Sequence, residues 1–269
     1  MRTETAHFMA VGQLEAYKEA GIEKYCFLAS LSERTCDVCA DLDGKTFNVD
    51  EVTEGVNCNP IHPNCRCVTI TAEASLSDRL AKDPLNGENY HTGKDMTFKE
   101  WKESFTPEQK QAFEVNVRKY RNMSSDKKQY ERYIKRLGTE NLPKSLDDWQ
   151  NLKYTNIGLW DNYKNVYTNA TGYIMGGTNY DKQIIVVKHT NPRGIPNSVS
   201  QYIGAKGGID RNFYGEDGRQ YLQVCNTDHG NAKRHPYGVN GEHRHKNGGF
   251  KRDTRELNDI DIKENGDIL

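Results

Sequence analysis

Apolar positions fall into blocks of different period along the 269 residues. Between residues 2 and 20, Phe8, Val11, Leu14 and Tyr17 recur about once per turn. Thr3 or Thr5 can cap this segment and Gly21 stands where a stop belongs, so the pattern predicts a helix. Tyr25–Leu28, Lys45–Val49 and Val68–Thr71 read as short strands of a small antiparallel sheet. Signals fade from Ala74 to about Asn89, and then four helix starts follow. Thr97-x-x-Glu100 precedes Phe98, Trp101 and Phe105. Thr106-Pro107-Glu108-Gln109 precedes Phe113, Val117 and Tyr120. Ser125 precedes Tyr130, Tyr133, Ile134 and Leu137, with Gly138 as a stop. Ser145-x-x-Asp148 precedes Leu146, Trp149 and Leu152. The aromatic stripes read as core, because a nucleobase-stacking platform needs exposed rings beside a basic groove. From Thr168 glycine becomes frequent and β-branched runs replace the helical stripes. Gln183–Val187 is the clearest strand, and Gly208–Tyr214 and Arg219–Val224 flank Gly215-Glu216-Asp217-Gly218 as a hairpin.

The expected fold class is therefore α+β. A sheet-and-helix segment with cysteine turns covers 1–73, a linker 74–94, a helical extension 95–167, a β-rich histidine-containing module 168–252, and a flexible acidic tail 253–269. Only 35% of residues are hydrophobic and 28% are charged, which suits small cores joined by solvated helices better than one large core. The formal net charge of −1 gives no global electrostatic case for nucleic acid. No apolar run approaches the roughly 20 residues of a membrane helix. The amphipathic N-terminus, with Glu4, lacks the apolar middle of a signal peptide. Seven cysteines, an odd number, then point to a reducing compartment.

Five of those seven cysteines lie between Leu28 and Thr71. Cys36-x-x-Cys39 and His62-x-x-Cys65 are two ligand pairs on separate turns, the usual way to surround a tetrahedral ion. Cys36, Cys39, His62 and Cys65 would make a Cys3His structural zinc site. Reduced, half-buried thiols beside tight turns and a disulfide are the competing readings, and either Cys58 or Cys67 could replace a named ligand.

The same stretch carries a resemblance. Arg2-Thr3-Glu4 opening a helix, FLASLSERTCDVCADLDGKTF, and NPIHPNCRC resemble, in that order over residues 2–72, the C-terminal half of the phage head morphogenesis domain, the Mu F-like minor head protein family. Leu80–Phe105 and SSDKKQYERYIKRLG are similar to the extension that many of these proteins carry. The long helical part of that domain has no counterpart ahead of the Arg-Thr-Glu block, which points to a fragment, an internal start or the downstream half of a split gene. The resemblance implies a minor capsid component that contacts the portal and other head proteins, is made in the bacterial cytoplasm and resides in the virion, with no membrane role.

Two further features bear on function. Between Arg118 and Arg136, eight lysines and arginines face only Asp126 and Glu131, a local balance of +6. That is either a solvated helix face, a non-specific contact to DNA backbone, or a contact to an acidic partner. Nearer the end, four of the eight histidines fall within seventeen residues: His229, His235, His243 and His245. His-x-His on a strand places both rings on one face. Asp228, His229, His243 and His245 would be the catalytic set if the module were a metal-dependent nuclease, the alternative being an effector delivered with the particle. No established nuclease signature is present. The reading adopted is a structural head protein, with His229, His243 and His245 converging on a polar site that is not a working nuclease.

Overall fold

The computed structural model describes residues 2–74, 78–93, 95–176, 182–247 and 252–269. Met1, 75–77, Lys94, 177–181 and 248–251 lie outside the described residues, and with them parts of the expected linker and β-rich module. The class is mixed α+β with a β-rich C-terminal part. The chain divides into two compact units, Met1–Arg121 and Asn122–Leu269.

In the first unit, helix α1 (Arg2–Glu19) precedes strand β1 (Lys24–Leu28), helix α2 (Asp37–Leu42), strand β2 (Thr46–Asn48) and strand β3 (Val68–Thr71). The three strands form the expected antiparallel sheet, in order β2-β1-β3. α1 buries Ala10, Leu14 and Tyr17, spaced i, i+4, i+7, against Tyr25, Val49 and Cys58. The expected stripe is thus half right: Phe8 is 72% and Val11 42% exposed, because they project from the other side of the helix.

Where a linker is expected, the chain pairs β4 (Leu80–Lys82) with β5 (Asn89–His91). Arg79, at the edge of this hairpin, explains the order. Its guanidinium forms a two-pronged pair with Asp43 (2.8 Å for each prong) and donates to the carbonyls of Met96 and Ala29. Asp43 in turn accepts from the backbone N–H of Ala29 and of Phe98, each at 2.6 Å. One buried carboxylate therefore ties the end of β1, the turn after α2 and the start of helix α3 (Phe98–Glu103) to the hairpin. α3 has its capping box, and Phe98, Trp101 and Phe105 pack with Phe113 as core.

Helix α4 (Pro107–Leu137) is one continuous helix of 31 residues, where two were expected. The Ser124-Ser125 step carries neither Pro nor Gly, and Ser125 bonds the Asn122 carbonyl within the helix instead of capping a new one. Within the second unit, Asp126 of α4 is fully buried and accepts from Lys153 (2.6 Å), Gln150 (2.8 Å) and Tyr154 (2.8 Å) of helix α5 (Leu146–Thr155). Helix α6 (Ile157–Asn169) completes the layer.

A seven-stranded sheet follows: β6 (Ala170–Met175), β7 (Gln183–Val187), β8 (Val199–Ile203), β9 (Ile209–Tyr214), β10 (Gln220–Cys225), β11 (His243–Asn247) and β12 (Arg252–Arg255), neighbours in that order. Only β7 and β8 are parallel. Alternation gives the sheet two faces. On the first, Ala170, Ile185, Val187 and Tyr202 pack with Tyr133, Trp149, Trp160 and Tyr163 of the helices. The helices expected at 95–167 are therefore shared out. α3 and the start of α4 serve the first unit, while the end of α4, α5 and α6 cover the apolar half of the sheet, sharing its core.

On the second face, Ile184, Val199, Phe213 and Val224 pack with Ile268. The acidic tail is not a loose end. Helix α7 (Asp259–Asn265) is closed at its start by an Asn258–Asp261 capping box. Arg211, with no exposed surface, pairs with Asp267 at 2.7 and 2.8 Å and donates to the side-chain oxygens of Gln201 and Asn265. Arg244 pairs with Asp261 at 3.0 Å. The tail's acids answer cations that the strands place on this face.

Breaking these pairs leaves a buried charge uncompensated. Asp43→Ala should lower stability by about 3–5 kcal/mol, and Asp267→Ala, whose carboxylate is partly exposed, by about 2–3 kcal/mol. Ile260→Ser on the exposed side of α7 should stay within about 0.5 kcal/mol. Urea unfolding followed by tryptophan fluorescence checks all three; equal effects from Asp267→Ala and Ile260→Ser would contradict the assignment.

Candidate functional site

The first cluster is built by two turns beneath the small sheet. Cys36 is the N-cap of α2, its sulfur accepting the Cys39 N–H at 3.4 Å, which turns Cys39 inward to full burial. The second turn, closed by the Cys65 N–H to the His62 carbonyl at 3.1 Å, presents His62 and Cys65. Cys39 Sγ lies 3.5 Å from His62 Nε2 and 3.9 Å from Cys65 Sγ. Ligands on a tetrahedral ion with bonds of about 2.0 Å to nitrogen and 2.3 Å to sulfur stand about 3.5 Å (S to N) and 3.8 Å (S to S) apart. His62 Nδ1 is 2.9 Å from the Pro63 carbonyl, so its proton sits there and Nε2 keeps its lone pair toward Cys39.

The four predicted ligands meet at Cys39 in two overlapping groups. Cys36, Cys39 and His62 form one group with donors within 4.8 Å of one another, and Cys39, Cys65 and Cys67 another, with Cys39 common to both. Of the two surplus thiols, Cys67 belongs here and Cys58 does not, being buried with Tyr25 and Val49. All seven cysteines are unbridged. Hydrogen bonds with Cys39 and Cys67 hold the Cys65 thiol far below its ordinary value, while hydrogen bonds with Cys65 and Cys67, and then burial, raise Cys39. For Cys67, the bond with Cys39 lowers the thiol, but Cys65 and burial outweigh it and push it up to about 12.

The second cluster lies on the first face of the large sheet, beyond the part the helices cover. There the strands present Asp210, Gln223, Cys225, His243 and His245, and Cys225 stands directly across from His243. The loop from 226 to 242 crosses this area, its ends joined by the Asp228 N–H to the Asn240 carbonyl at 2.9 Å. It brings His229 and His235 over the strands. A cavity of about 320 Å³ is lined by Asp210, Gln223, His229, Arg234, His235 and His245, with Thr190 and Thr254.

His243 and His245 point their Nε2 atoms at each other across 3.0 Å. His243 Nδ1 lies 2.7 Å from the Gly241 carbonyl and His245 Nδ1 3.2 Å from Thr254 Oγ1. His235 stacks on His243 with ring centres 4.0 Å apart. Burial holds the His243 imidazole below its ordinary value, despite the Gly241 bond; burial and the neighbouring His243 and His229 do the same to His235. Both rings are therefore neutral near pH 7, the state in which imidazole ligates or accepts a proton.

The structure brings His229, His243 and His245 together, and places Asp228 in another role. Its Oδ1 accepts the Gly230 N–H at 2.7 Å in a turn, and its Cβ sits 2.3 Å, and its backbone 2.7 Å, from where a side chain at Gly241 (φ +84°) would begin. Glu242 likewise accepts the Asn240 N–H at 2.8 Å. The carboxylate that lines the cavity is Asp210, whose Oδ1 is 3.7 Å from His229 Nε2. Asp210 and Cys225 were missed, and His235 was counted in the histidine cluster but left out of the candidate set. Strand alternation across the predicted hairpin carries Asp210 and Cys225 to one face, a signal available once the register is known.

The basic run lies on α4. Lys127, Lys128, Arg132 and Lys135 are exposed, and Lys128, Arg132 and Lys135 share a face at i, i+4, i+7. Arg121 reaches Asp37 at 3.3 Å and Arg136 covers the Tyr167 ring at 4.3 Å.

Residues 1–70 match the model of the family described as phage Mu protein F like protein. No curated protein and no solved structure matches the chain. The match agrees with the blocks read between residues 2 and 72. Among the described residues, no helix is long and apolar enough to cross a membrane.

Because Cys39 belongs to both groups of the first cluster, its loss should matter most. Added Co²⁺ should give thiolate-to-metal absorption with the full chain. Cys39→Ser should remove most of that absorption and Cys58→Ser should leave it intact; equal effects of the two would contradict the geometry.

Proposed function

We propose that the protein is a minor head component that acts in phage head assembly beside the portal, is made in the host cytoplasm and stays in the virion. The observation that carries this reading is the Mu F-like match over residues 1–70, on a segment that folds around its own small sheet. α1 adds a contact surface of the right character. Phe8, Met9 and Val11, 72%, 71% and 42% exposed, form an apolar strip suited to a protein partner. In this reading Cys36, Cys39, His62 and Cys65 hold a structural zinc ion, Cys67 being the alternative fourth thiolate, and the ion fixes the two turns under the sheet. The exposed basic face of α4 touches packaged DNA through its phosphates, without reading sequence.

The histidine-lined cavity favours a second reading, an effector delivered with the particle whose C-terminal module cleaves nucleic acid through Asp228, His229, His243 and His245. The engagement of Asp228 in its turn weighs against it, since the set then lacks the carboxylate it was given.

Tagged full-length protein should co-sediment with heads and be captured by the portal protein, and Phe8→Ser with Met9→Ser should abolish the capture. Failure to associate with heads would overturn the reading. Lys128→Gln, Arg132→Gln and Lys135→Gln together should flatten the salt dependence of DNA binding by up to about 2.7 in log–log slope, at about 0.9 for each phosphate no longer neutralised. Expression of the full chain should leave cells growing and their RNA intact. Death that His243→Ala with His245→Ala relieves would establish the effector instead.

A further inference from the structure

We propose that the second unit carries a metal site of its own, in which Cys225, His229, His243 and His245 bind one zinc-class ion that staples the loop from 226 to 242 onto the sheet. The proposal stands apart from the head-assembly reading.

The donors come from three places in the chain and meet in one. The donor atoms of Cys225, His229, His243 and His245 all lie within 4.8 Å of one another. Cys225 and His243 are cross-strand partners with no exposed surface, and His245, two residues on, is 7% exposed. These three form a floor fixed by backbone pairing. His229 closes over it from the loop, in a left-handed conformation (φ 53°) that a non-glycine residue adopts at a cost.

The ring contacts then pose a question about charge. His243 gives its Nδ1 proton to the Gly241 carbonyl at 2.7 Å, which leaves a lone pair on Nε2. His245 Nε2 is 3.0 Å from that lone pair. Either one proton is shared across the gap, or a cation sits beside it and takes both lone pairs. Two nitrogens on one tetrahedral ion stand about 3.3 Å apart, close to the separation present. One metal ion could take a lone pair from each of the four donors, and the carbonyl and Thr254 hydroxyl at the two Nδ1 atoms are the outer partners that ligating histidines use to fix their tautomer. A second sign of an unmet polar requirement is His235. It is 7% exposed, lines the same cavity, and its Nδ1 has no hydrogen-bond partner among the described residues.

The donor set decides both the ion and its job. One thiolate and three imidazoles suit zinc, and not magnesium or calcium, which take oxygen. Four protein ligands complete a tetrahedron and leave no open position for water, so the site is structural. What it holds is the loop between β10 and β11, which has no regular secondary structure and spans seventeen residues, a length that needs an anchor. Cys225 and His243 flank its two ends and His229 lies inside it. Metal and fold are then coupled, and removing the ion frees the loop.

The test uses the full chain. Zinc is counted by native mass spectrometry after purification in zinc-containing buffer, in a Cys39→Ser background that disables the first cluster. One zinc per chain is expected to remain. Adding Cys225→Ser should abolish it, and adding His229→Ala, an exposed position outside the core, should weaken zinc binding more than about tenfold with the fold intact by circular dichroism. With Co²⁺ in place of zinc, the absorption should be that of one thiolate. Chelation should open the loop to trypsin after Lys233 and Arg234. A folded Cys39→Ser protein without zinc would overturn the proposal. So would retention of that zinc after Cys225→Ser, or tryptic cleavage of the loop that is indifferent to chelation.

Discussion

The second unit depends on a buried arginine. Arg211 has no exposed surface, and only because Asp267, Gln201 and Asn265 surround its guanidinium can the charge stay there. The consequence reaches the opposite side of the sheet. β9 alternates, so locking Arg211 on one face sets Asp210 on the other; β11 alternates too, so locking Arg244 onto Asp261 sets His243 and His245 on the other. A one-residue slip would bury the imidazoles under α7 and put two arginines in the cavity. The ion pairs behind the sheet thus hold the register of the donors in front of it.

The first unit uses the same device. Asp43 ends α2, the helix that Cys36 caps and Cys39 occupies, and its two-pronged pair with Arg79 fixes that turn against the β4–β5 hairpin and the start of α3. The Mu F-like segment is therefore continued structurally by the residues after it. Its cysteine turns are held from one side by a buried ion pair and from the other by their own sulfur and imidazole contacts.

Much of this was legible. The small antiparallel sheet, the capping box at Thr97, the hairpin from 208 to 224 and the joining of His229 with His243 and His245 follow from period, turn chemistry and strand alternation. What escaped did so for identifiable reasons. Helical period alone does not say which of two apolar faces is buried, and α1 uses Ala10 in place of Phe8. A serine pair resembles a cap but does not break a helix that has no Pro or Gly. The tail looked loose because its period is weak, whereas its order comes from charges, Asp261 and Asp267, whose partners lie some seventeen and fifty-six residues away. The x-x spacing found Cys36, Cys39, His62 and Cys65, but could not show that Cys67 replaces Cys58 near them. Cys225 carried no motif and became a candidate donor only through its cross-strand partner.

Buried ion pairs position two Cys/His clusters, each of which we propose binds one metal ion. Anomalous diffraction at the zinc edge from crystals of the full chain grown with zinc tests this most directly. Two peaks are expected, one between Cys39, His62 and the neighbouring cysteines and one between Cys225, His229, His243 and His245. A map with neither peak, or with zinc only at exposed surface histidines, would contradict the proposal.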